Sequence, residues 1–145
     1  DLDEIIEREA GVEIKDIFLA KGEAHFREIE SETIRRLVGG VYGTGVIAAT
    51  GGGAVIRQSN RDALKGWGIV VCLRASVDEI LIRAGSGDER PLLDTGDMDG
   101  RRKKIEGLLK ERDEVYRDCD FTVETTGIGV ADVVEKIRSF LDNAV

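Results

Sequence analysis

Two uninterrupted apolar runs constrain the fold of this chain more than any other feature of its sequence. Residues Val46 to Thr50 (VIAAT) and Ile69 to Leu73 (IVVCL) are apolar or β-branched almost throughout, and a third candidate strand, Phe121 to Thr125, follows later. Strands covered on both faces have this pattern, as in parallel sheets with crossover helices. The runs therefore predict three strands of a short parallel sheet.

Helical patterns account for most of the remaining sequence. Capping residues and apolar spacing predict five helices, over 3–9, 14–20, 23–37, from Ser76 to about Arg83, and over about 130–141. Gly11 is expected to end the first of them. Helices that alternate with strands indicate an α/β fold. Because the chain has no repeat and no linker, we expect one domain, 1–145.

Composition excludes several classes of function. Its 29 Asp and Glu against 21 Lys and Arg give a net charge of −8, which repels a phosphate backbone, so we expect no nucleic-acid partner. No apolar run is long enough to span a membrane, so we expect no membrane partner. Cys72 and Cys119 lie far apart in the chain, in unlike surroundings, which favours a reduced, cytoplasmic location.

The segment from Ala84 to Gly100 is predicted to be a mobile loop. It contains the only proline, four glycines and several acidic residues, without apolar periodicity. A loop of this length is unusual in a compact domain unless it has a function, such as closing over a substrate. We therefore expect a lid at about 84–100.

The string from Ala49 to Ala54 contains three consecutive glycines, Gly51, Gly52 and Gly53, at the end of a predicted strand. Ligands of open α/β sheets bind outside the carboxyl ends of the strands, where glycine lets backbone N–H groups approach them. A flexible turn would have the same sequence. The run by itself does not separate these interpretations.

Arg27 and Glu30 stand three residues apart on a predicted helix, so their side chains share one face. They could form an ordinary surface salt bridge. Alternatively, Glu30 could orient the guanidinium of Arg27 so that it grips a carboxylate with two parallel hydrogen bonds. Local sequence leaves both interpretations open.

Three arginines, Arg83, Arg90 and Arg112, lie on or beside the otherwise acidic loop. Arginines at a lid can neutralise the charge of a transferring phosphoryl group, whereas a solvated charged loop would also contain them. Asp1 and Asp3 leave a similar choice. If they end a strand, they could hold a magnesium water shell or accept a hydroxyl proton, and Asp3 could instead cap a helix.

Other conspicuous residues are expected to have no role in chemistry. His25, the only histidine, has no triad partners, and Trp67 and Cys72 are assigned to packing. The glycine-rich segment 39–45 (GGVYGTG) lacks the G-x-x-x-x-G-K-[ST] pattern and precedes a predicted strand instead of following one. We therefore reject it as a phosphate loop.

Taken together and in this order, these motifs resemble those of the shikimate kinase family, a group of small P-loop kinases. The resemblance covers nearly the whole chain and rests on Asp1-x-Asp3, Gly22-Glu23-x-x-Phe26-Arg27-x-x-Glu30, the segment from Ala49 to Val55, Arg61, Arg90-Pro91-Leu92-Leu93 and Arg112-x-x-x-Tyr116. It implies a three-layer α/β/α fold. It also implies transfer of the γ-phosphoryl group of ATP to the 3-hydroxyl of shikimate, by a monomer that uses Mg²⁺.

The resemblance assigns a role to each matching residue. Asp3 would hold the substrate hydroxyls and take the reacting proton, and Arg27 and Arg112 would hold the carboxylate. Gly51, Gly52 and Gly53 would line the substrate site, together with Phe18 and Phe26. Asp1 would act on Mg²⁺ through water, Arg83 would stack on adenine, and Arg90 would move with the lid to meet the phosphates and the substrate.

The family's phosphate loop has no counterpart in these residues. It lies upstream of the Asp-x-Asp pair, and this sequence begins at that pair. We expect the natural chain to carry the missing strand, loop and helix before Asp1, so that residues 1–145 alone would be inactive. The alternative hypothesis is a non-catalytic relative that keeps the shikimate pocket for binding or regulation.

Overall fold

The computed structural model describes residues 1–84 and 97–144, and the chain divides into two compact units, Asp1–Gly68 and Ile69–Val145. The first unit contains α1 (Leu2–Ala10), α2 (Ile14–Val38), a 3₁₀ turn (Ala54–Ile56) and α3 (Gln58–Trp67). The second contains β1 (Val71–Arg74), α4 (Val77–Ala84), α5 (Met98–Arg117), β2 (Phe121–Glu124) and α6 (Val130–Ala144). Among the described helices, none is long and apolar enough to cross a membrane.

Helix α1 packs its apolar side against α2. Ile6 of α1 and Ile17 and Phe26 of α2 are buried together and form an apolar cluster in the first unit. Gly11 ends α1 in the left-handed conformation, with φ of 70°, and its N–H bonds to the carbonyl of Glu7. This confirms the predicted end of the first helix at a glycine.

Helix α2 is interrupted at Gly22. There φ is 79° and ψ is 171°, so two helical pieces meet at a backbone conformation that essentially only glycine adopts. The two pieces correspond to the helices predicted over 14–20 and 23–37. The break lets the second piece, with buried Ile34 and Leu37, take its own direction.

The predicted strand over Val46 to Thr50 is wrong for the described structure. No regular secondary structure is assigned to these residues, and the side chain of Ile47 is fully exposed. A strand is stabilised by the neighbour that completes its hydrogen-bond ladder, and within 1–84 and 97–144 no strand pairs with this run. One backbone bond anchors it, from Leu2 N–H to the Ala49 carbonyl, at 2.9 Å.

The other two predicted strands are confirmed as a parallel pair. β1 and β2 run in register from Val71 beside Phe121 to Arg74 beside Glu124. Val123 is almost completely buried, and Leu81 of α4 and Ile105 of α5 form a second apolar cluster in this unit. The short parallel sheet expected from the apolar runs is therefore present.

The predicted lid lies mostly outside the described residues, which omit 85–96. The predicted loop, 84–100, is too long at both ends, because helical residues occupy them. Ala84 still belongs to α4, and α5 begins at Met98, because the side chain of Asp97 caps it by accepting the Gly100 N–H at 2.6 Å.

The expectation that the two cysteines occupy unlike surroundings is also wrong. Cys72 lies in β1 opposite Thr122 of β2. The Cys119 sulfur lies 3.3 Å from the Thr122 hydroxyl oxygen. Parallel pairing of β1 with β2 therefore brings together two residues that are distant in sequence.

Substitution of Gly22 should show how much the break in α2 matters. Gly22→Ala places a Cβ at a positive φ with extended ψ, so we expect the free energy of unfolding to fall by about 1–3 kcal/mol. Gly107→Ala is the matched control, because Gly107 lies inside α5 with open space at its Cβ position. It should raise the free energy of unfolding by up to about 1 kcal/mol. Urea denaturation measures both, and equal effects would contradict this account.

Candidate functional site

A buried ion pair forms the centre of the candidate site in the first unit. Arg27 Nη1 donates to both carboxylate oxygens of Glu30, at 2.9 and 3.0 Å, and the two side chains are only 11% and 4% exposed. The Arg27 guanidinium also lies 5.2 Å from the centre of the Phe26 ring. The interpretation of this pair as a surface salt bridge is therefore wrong.

Glu23 contacts the opposite edge of the same guanidinium. One oxygen of Glu23 accepts from Arg27 Nε at 3.3 Å and from Nη2 at 3.0 Å. The Glu23 side chain is half exposed, whereas Glu30 is buried. The guanidinium thus has one permanently enclosed partner and one partner on an edge that solvent reaches.

Burial dominates the electrostatics of Glu30. Loss of water raises the pKa of the Glu30 carboxyl above its usual value, and the charge and hydrogen bonds of Arg27 only partly offset this effect. The nearby charge of Asp3 raises the pKa further. Three charged groups from α1 and α2 therefore act on one another in this site.

The glycine run passes both Asp3 and Arg27. A Cβ built on Gly53 would lie 2.2 Å from Arg27 Nη1, a separation that real atoms do not tolerate. A Cβ built on Gly51 would lie 3.8 Å from an oxygen of Asp3, and Gly51 has φ of 72°. Since Gly51 and Gly53 are at most about 7 Å apart along the chain, Asp3 and Arg27 border one small region.

Side chains near the start of α3 hold the turn that follows the glycines. Asn60 Nδ2 donates to the Ala54 carbonyl at 2.8 Å, and Arg61 Nη1 donates to the carbonyls of Val55 and Ile56 at 2.6 and 2.9 Å. The close approach of Gly53 to Arg27 is therefore fixed from the α3 side. This argues against the flexible turn that the glycine run could also have formed.

Arg57 joins the same turn to α2. Its Nη1 donates to the Ser31 hydroxyl at 3.2 Å, and that hydroxyl donates to the Arg27 carbonyl at 2.9 Å. Its Nη2 lies 2.6 Å from Glu28 and holds the pKa of that carboxyl below its usual range. Arg57 was not among the candidate residues, since its position after the glycine run carries no recognisable signal.

Asp1 and Asp3 lie at the start of α1, and Asp3 is helical, so it does not belong to a strand. Asp1 is the N-cap, because its side chain accepts the Asp3 N–H at 2.8 Å. The helix cap considered for Asp3 thus belongs to Asp1. Asp3 is exposed in the first turn of α1, beside Gly51.

Arg83 lies in the second unit, at the carboxyl ends of the strands. Its Nε donates to Glu79 at 2.8 Å, and its Nη1 and Nη2 donate to the hydroxyl and carbonyl of Thr125, each at 2.8 Å. These bonds lie in the plane of the guanidinium and hold it beside the end of β2. The side chain remains 44% exposed, which allows stacking on a flat ring.

Two threonines tie the ends of β1 and β2 together beside Arg83. The Thr125 N–H and hydroxyl both donate to the Arg74 carbonyl, at 2.7 and 2.8 Å. The Thr126 hydroxyl oxygen accepts the Ser76 N–H at 2.8 Å. Ligands of parallel sheets bind at this end of the strands.

Arg112 lies on α5 in the second unit, where its Nη1 lies 3.4 Å from the Tyr116 hydroxyl one helical turn later. Arg90 lies outside the described residues. Phe18 and Phe26 are in contact, with ring centres 4.9 Å apart, but Phe26 is a core residue and Phe18 is only partly buried. The structure thus groups Asp3, Arg27 and the glycine run within one unit.

Several residues whose hydrogen bonds hold the candidate sites were missed by the sequence analysis. The i, i+4 spacing of Glu23 and Arg27 could have identified the second carboxylate partner. Asn60 and Thr125 left no comparable signal, because an asparagine or threonine in a polar stretch is ordinary. Their bonds to distant backbone carbonyls depend on the folded chain.

Comparisons with known proteins agree on one family. The family model described as shikimate kinase matches residues 1–142. A shikimate kinase of Geobacter sulfurreducens is 43% identical over 141 residues, which cover 97% of this chain and 75% of that relative. A second relative, from Geobacter metallireducens, is 39% identical over 98% of this chain and 76% of its own length.

Solved structures agree as well. A shikimate kinase from Acinetobacter baumannii in complex with shikimate matches with a TM-score of 0.89 and 36% identity, over 99% of this chain and 78% of that one. The enzyme from Aquifex aeolicus matches with a TM-score of 0.79 and 31% identity, over 100% of this chain and 82% of that one. These similarities confirm the expected α/β fold of P-loop kinase type.

The pH dependence of stability should separate Glu30 from its neighbour Glu28. A carboxyl whose pKa is raised by folding contributes less to the free energy of unfolding as pH rises above its unfolded pKa. A carboxyl whose pKa is lowered by folding contributes more as pH rises toward its unfolded pKa. The wild type minus Glu30→Gln difference in unfolding free energy should therefore fall as pH increases above about 4.5.

Glu28→Gln is the matched control, because Arg57 lowers the pKa of Glu28. Its difference from wild type should rise as pH increases toward about 4.5. Urea unfolding at a series of pH values measures both differences. The same sign of slope for the two variants would contradict the burial of Glu30.

Proposed function

Because this chain belongs to the shikimate kinase family, which transfers the γ-phosphoryl group of ATP to shikimate, we propose that Asp3, Arg27 and the glycine run form its shikimate site. The observation that carries the proposal is the contact of Gly53 with the buried Arg27 guanidinium. A hydroxylated carboxylate needs a fixed cation, an acceptor for hydroxyl protons and exposed amides. This region supplies all three.

Arg27 binds the substrate carboxylate in this proposal. Glu30 fixes the guanidinium from the enclosed side, so little conformational freedom remains to be lost on binding. The Nε and Nη2 edge, where half-exposed Glu23 bonds, is the edge that a planar carboxylate reaches. Glu23 yields this edge to the substrate at little cost, because an ion pair with a half-exposed carboxylate contributes little net free energy.

Asp3 accepts the proton of the reacting hydroxyl. Its carboxylate is exposed beside Gly51, in the first turn of α1, and so it can receive two neighbouring hydroxyls of a ring. Phosphoryl transfer depends chiefly on positioning and on neutralising charge. A base at this point orients the attacking oxygen and removes its proton as the new bond forms.

Asp1 is the residue proposed to hold magnesium. Within 1–84 and 97–144 no group of three or more His, Cys, Asp or Glu side chains could hold a metal. Mg²⁺ usually keeps several waters and takes only one or two carboxylates besides phosphate oxygens. Asp1 would hold it through water, and Mg²⁺ would supply neutralising charge at the phosphates.

The second unit supplies the nucleotide side in this proposal. The Arg83 guanidinium, held in its plane by Glu79 and Thr125, stacks on adenine. Arg112 and Arg90 keep the roles that the family resemblance implies for them, Arg112 at the substrate carboxylate and Arg90 at the phosphates. The lid, the single domain over 1–145, the cytoplasmic location and the monomeric state belong to the same proposal.

The direct test is the reaction itself. The full-length protein, supplied with ATP, Mg²⁺ and shikimate, should release ADP only when shikimate is present, and ³¹P NMR should show a phosphate ester on its 3-hydroxyl. Shikimate binding by calorimetry without turnover would favour a non-catalytic binding protein. ADP release that ignores shikimate would overturn the substrate assignment.

Asp3→Asn should remove the base while keeping the shape of the side chain. We expect kcat to fall by a factor of about 100 or more, because a positioned general base contributes that much to a transfer step. Asp62→Asn, at an exposed position on α3, is the control and should keep the wild-type kcat. A wild-type kcat in Asp3→Asn would eliminate its proposed role.

Gly53→Ala should act on substrate binding. The added Cβ would displace the Arg27 guanidinium, so we expect KM for shikimate to rise about 30-fold, equivalent to about 2 kcal/mol, with KM for ATP unchanged. Gly66→Ala is the control, since its Cβ would meet open space. Steady-state kinetics with each substrate varied in turn gives both values, and an unchanged shikimate KM in Gly53→Ala would contradict the placement.

A further inference from the structure

The two cysteines of the chain, both free thiols and both partly buried, flank a single threonine in the second unit. Cys72 lies in β1 directly opposite Thr122 of β2. Partners in register on neighbouring strands point to the same face of a sheet, about 4.7–4.9 Å apart between strands. The Cys119 sulfur lies 3.3 Å from the Thr122 hydroxyl oxygen. Both sulfurs are therefore beside the same side chain.

The backbone around the pair is already fixed. The Val70 N–H donates to the Asp120 side chain at 2.7 Å, and the Asp120 N–H donates to the Val70 carbonyl at 2.9 Å. The Cys119 sulfur also lies 3.4 Å from the Phe121 carbonyl oxygen. These bonds hold the residue before β2 against the start of β1. The segment that carries Cys119 is therefore held beside the strand that carries Cys72.

The electrostatics of Cys72 agree with a position of both thiols beside Thr122. Burial raises the pKa of the Cys72 thiol most, and the Cys119 sulfur raises it further through its charge and through a hydrogen bond between the two side chains. The nearby Arg74 acts in the opposite direction. A mutual hydrogen bond requires the sulfurs to be neighbours, in agreement with the position of both beside Thr122.

We propose that Cys72 and Cys119 form a dithiol site that a low-molecular-weight disulfide such as oxidised glutathione converts to an intramolecular disulfide. A thiolate of the pair attacks the glutathione disulfide, forms a mixed disulfide and releases one glutathione thiolate. The second cysteine then attacks its partner's sulfur and releases the other. The protein loses two protons and two electrons, and one oxidised glutathione becomes two reduced ones.

This site is independent of the proposed shikimate chemistry. Neither cysteine belongs to the substrate or nucleotide residues described above. The bond would join β1 to the segment between α5 and β2.

The test is equilibration of the full-length protein with glutathione buffers of increasing oxidised fraction. Thiol titration should fall by two groups, and intact mass should show the loss of two hydrogens without an added glutathione. Peptide mapping should give one peptide that joins Cys72 to Cys119, and dithiothreitol should reverse the change. Stable glutathione adducts on the wild type, or a disulfide between two molecules, would overturn the proposal.

Two controls make the result specific to the folded arrangement. Cys72→Ser and Cys119→Ser should each stop at the mixed disulfide, with one glutathione added. The same titration in guanidinium should need a roughly tenfold or higher ratio of oxidised to reduced glutathione, because the unfolded chain no longer holds the thiols together. An equal or lower ratio for the unfolded protein would contradict the proposed proximity.

Discussion

The ion pair between Arg27 and Glu30 is the interaction on which the candidate site depends. A charged group is removed from water at a large cost unless a partner and further hydrogen bonds replace the lost hydration. Glu30 meets this need for Arg27, and Glu23 adds a second partner on the open edge. Removing one member of such a buried pair typically costs about 3–5 kcal/mol. The cation therefore stays in place before any ligand arrives.

The glycine run is positioned against this fixed cation. Gly53 can lie against the guanidinium only because it has no side chain, and Asn60, Arg61 and Arg57 hold the following turn in that position. The same turn approaches Asp3 at Gly51. A cation, a carboxylate and exposed backbone are thus arranged by α1, α2 and α3 together. No one of these helices could form the site alone.

The sequence predicted elements whose signals are local. Gly11 ends the first helix as predicted, and the break at Gly22 lies between two helices that were predicted separately. The spacing of Arg27 and Glu30 identified the central pair. The strand over 46–50 was wrong because a strand depends on neighbours that its own residues do not specify. Helices α3 and α5 are highly polar and were not predicted. The contacts of Gly53, Asn60 and Thr125 link segments distant in sequence, so only the fold reveals them.

The binding of shikimate and of its neutral amide tests the central claim most directly. Both molecules carry the same ring and hydroxyl groups, and only shikimate offers a carboxylate to the fixed guanidinium. Titration calorimetry with the full-length protein should show shikimate binding at least about 30-fold more tightly, as expected for a charge-assisted bond of about 2 kcal/mol. Equal affinity for the two molecules would contradict the assignment of Arg27 and its glycine neighbours to the carboxylate.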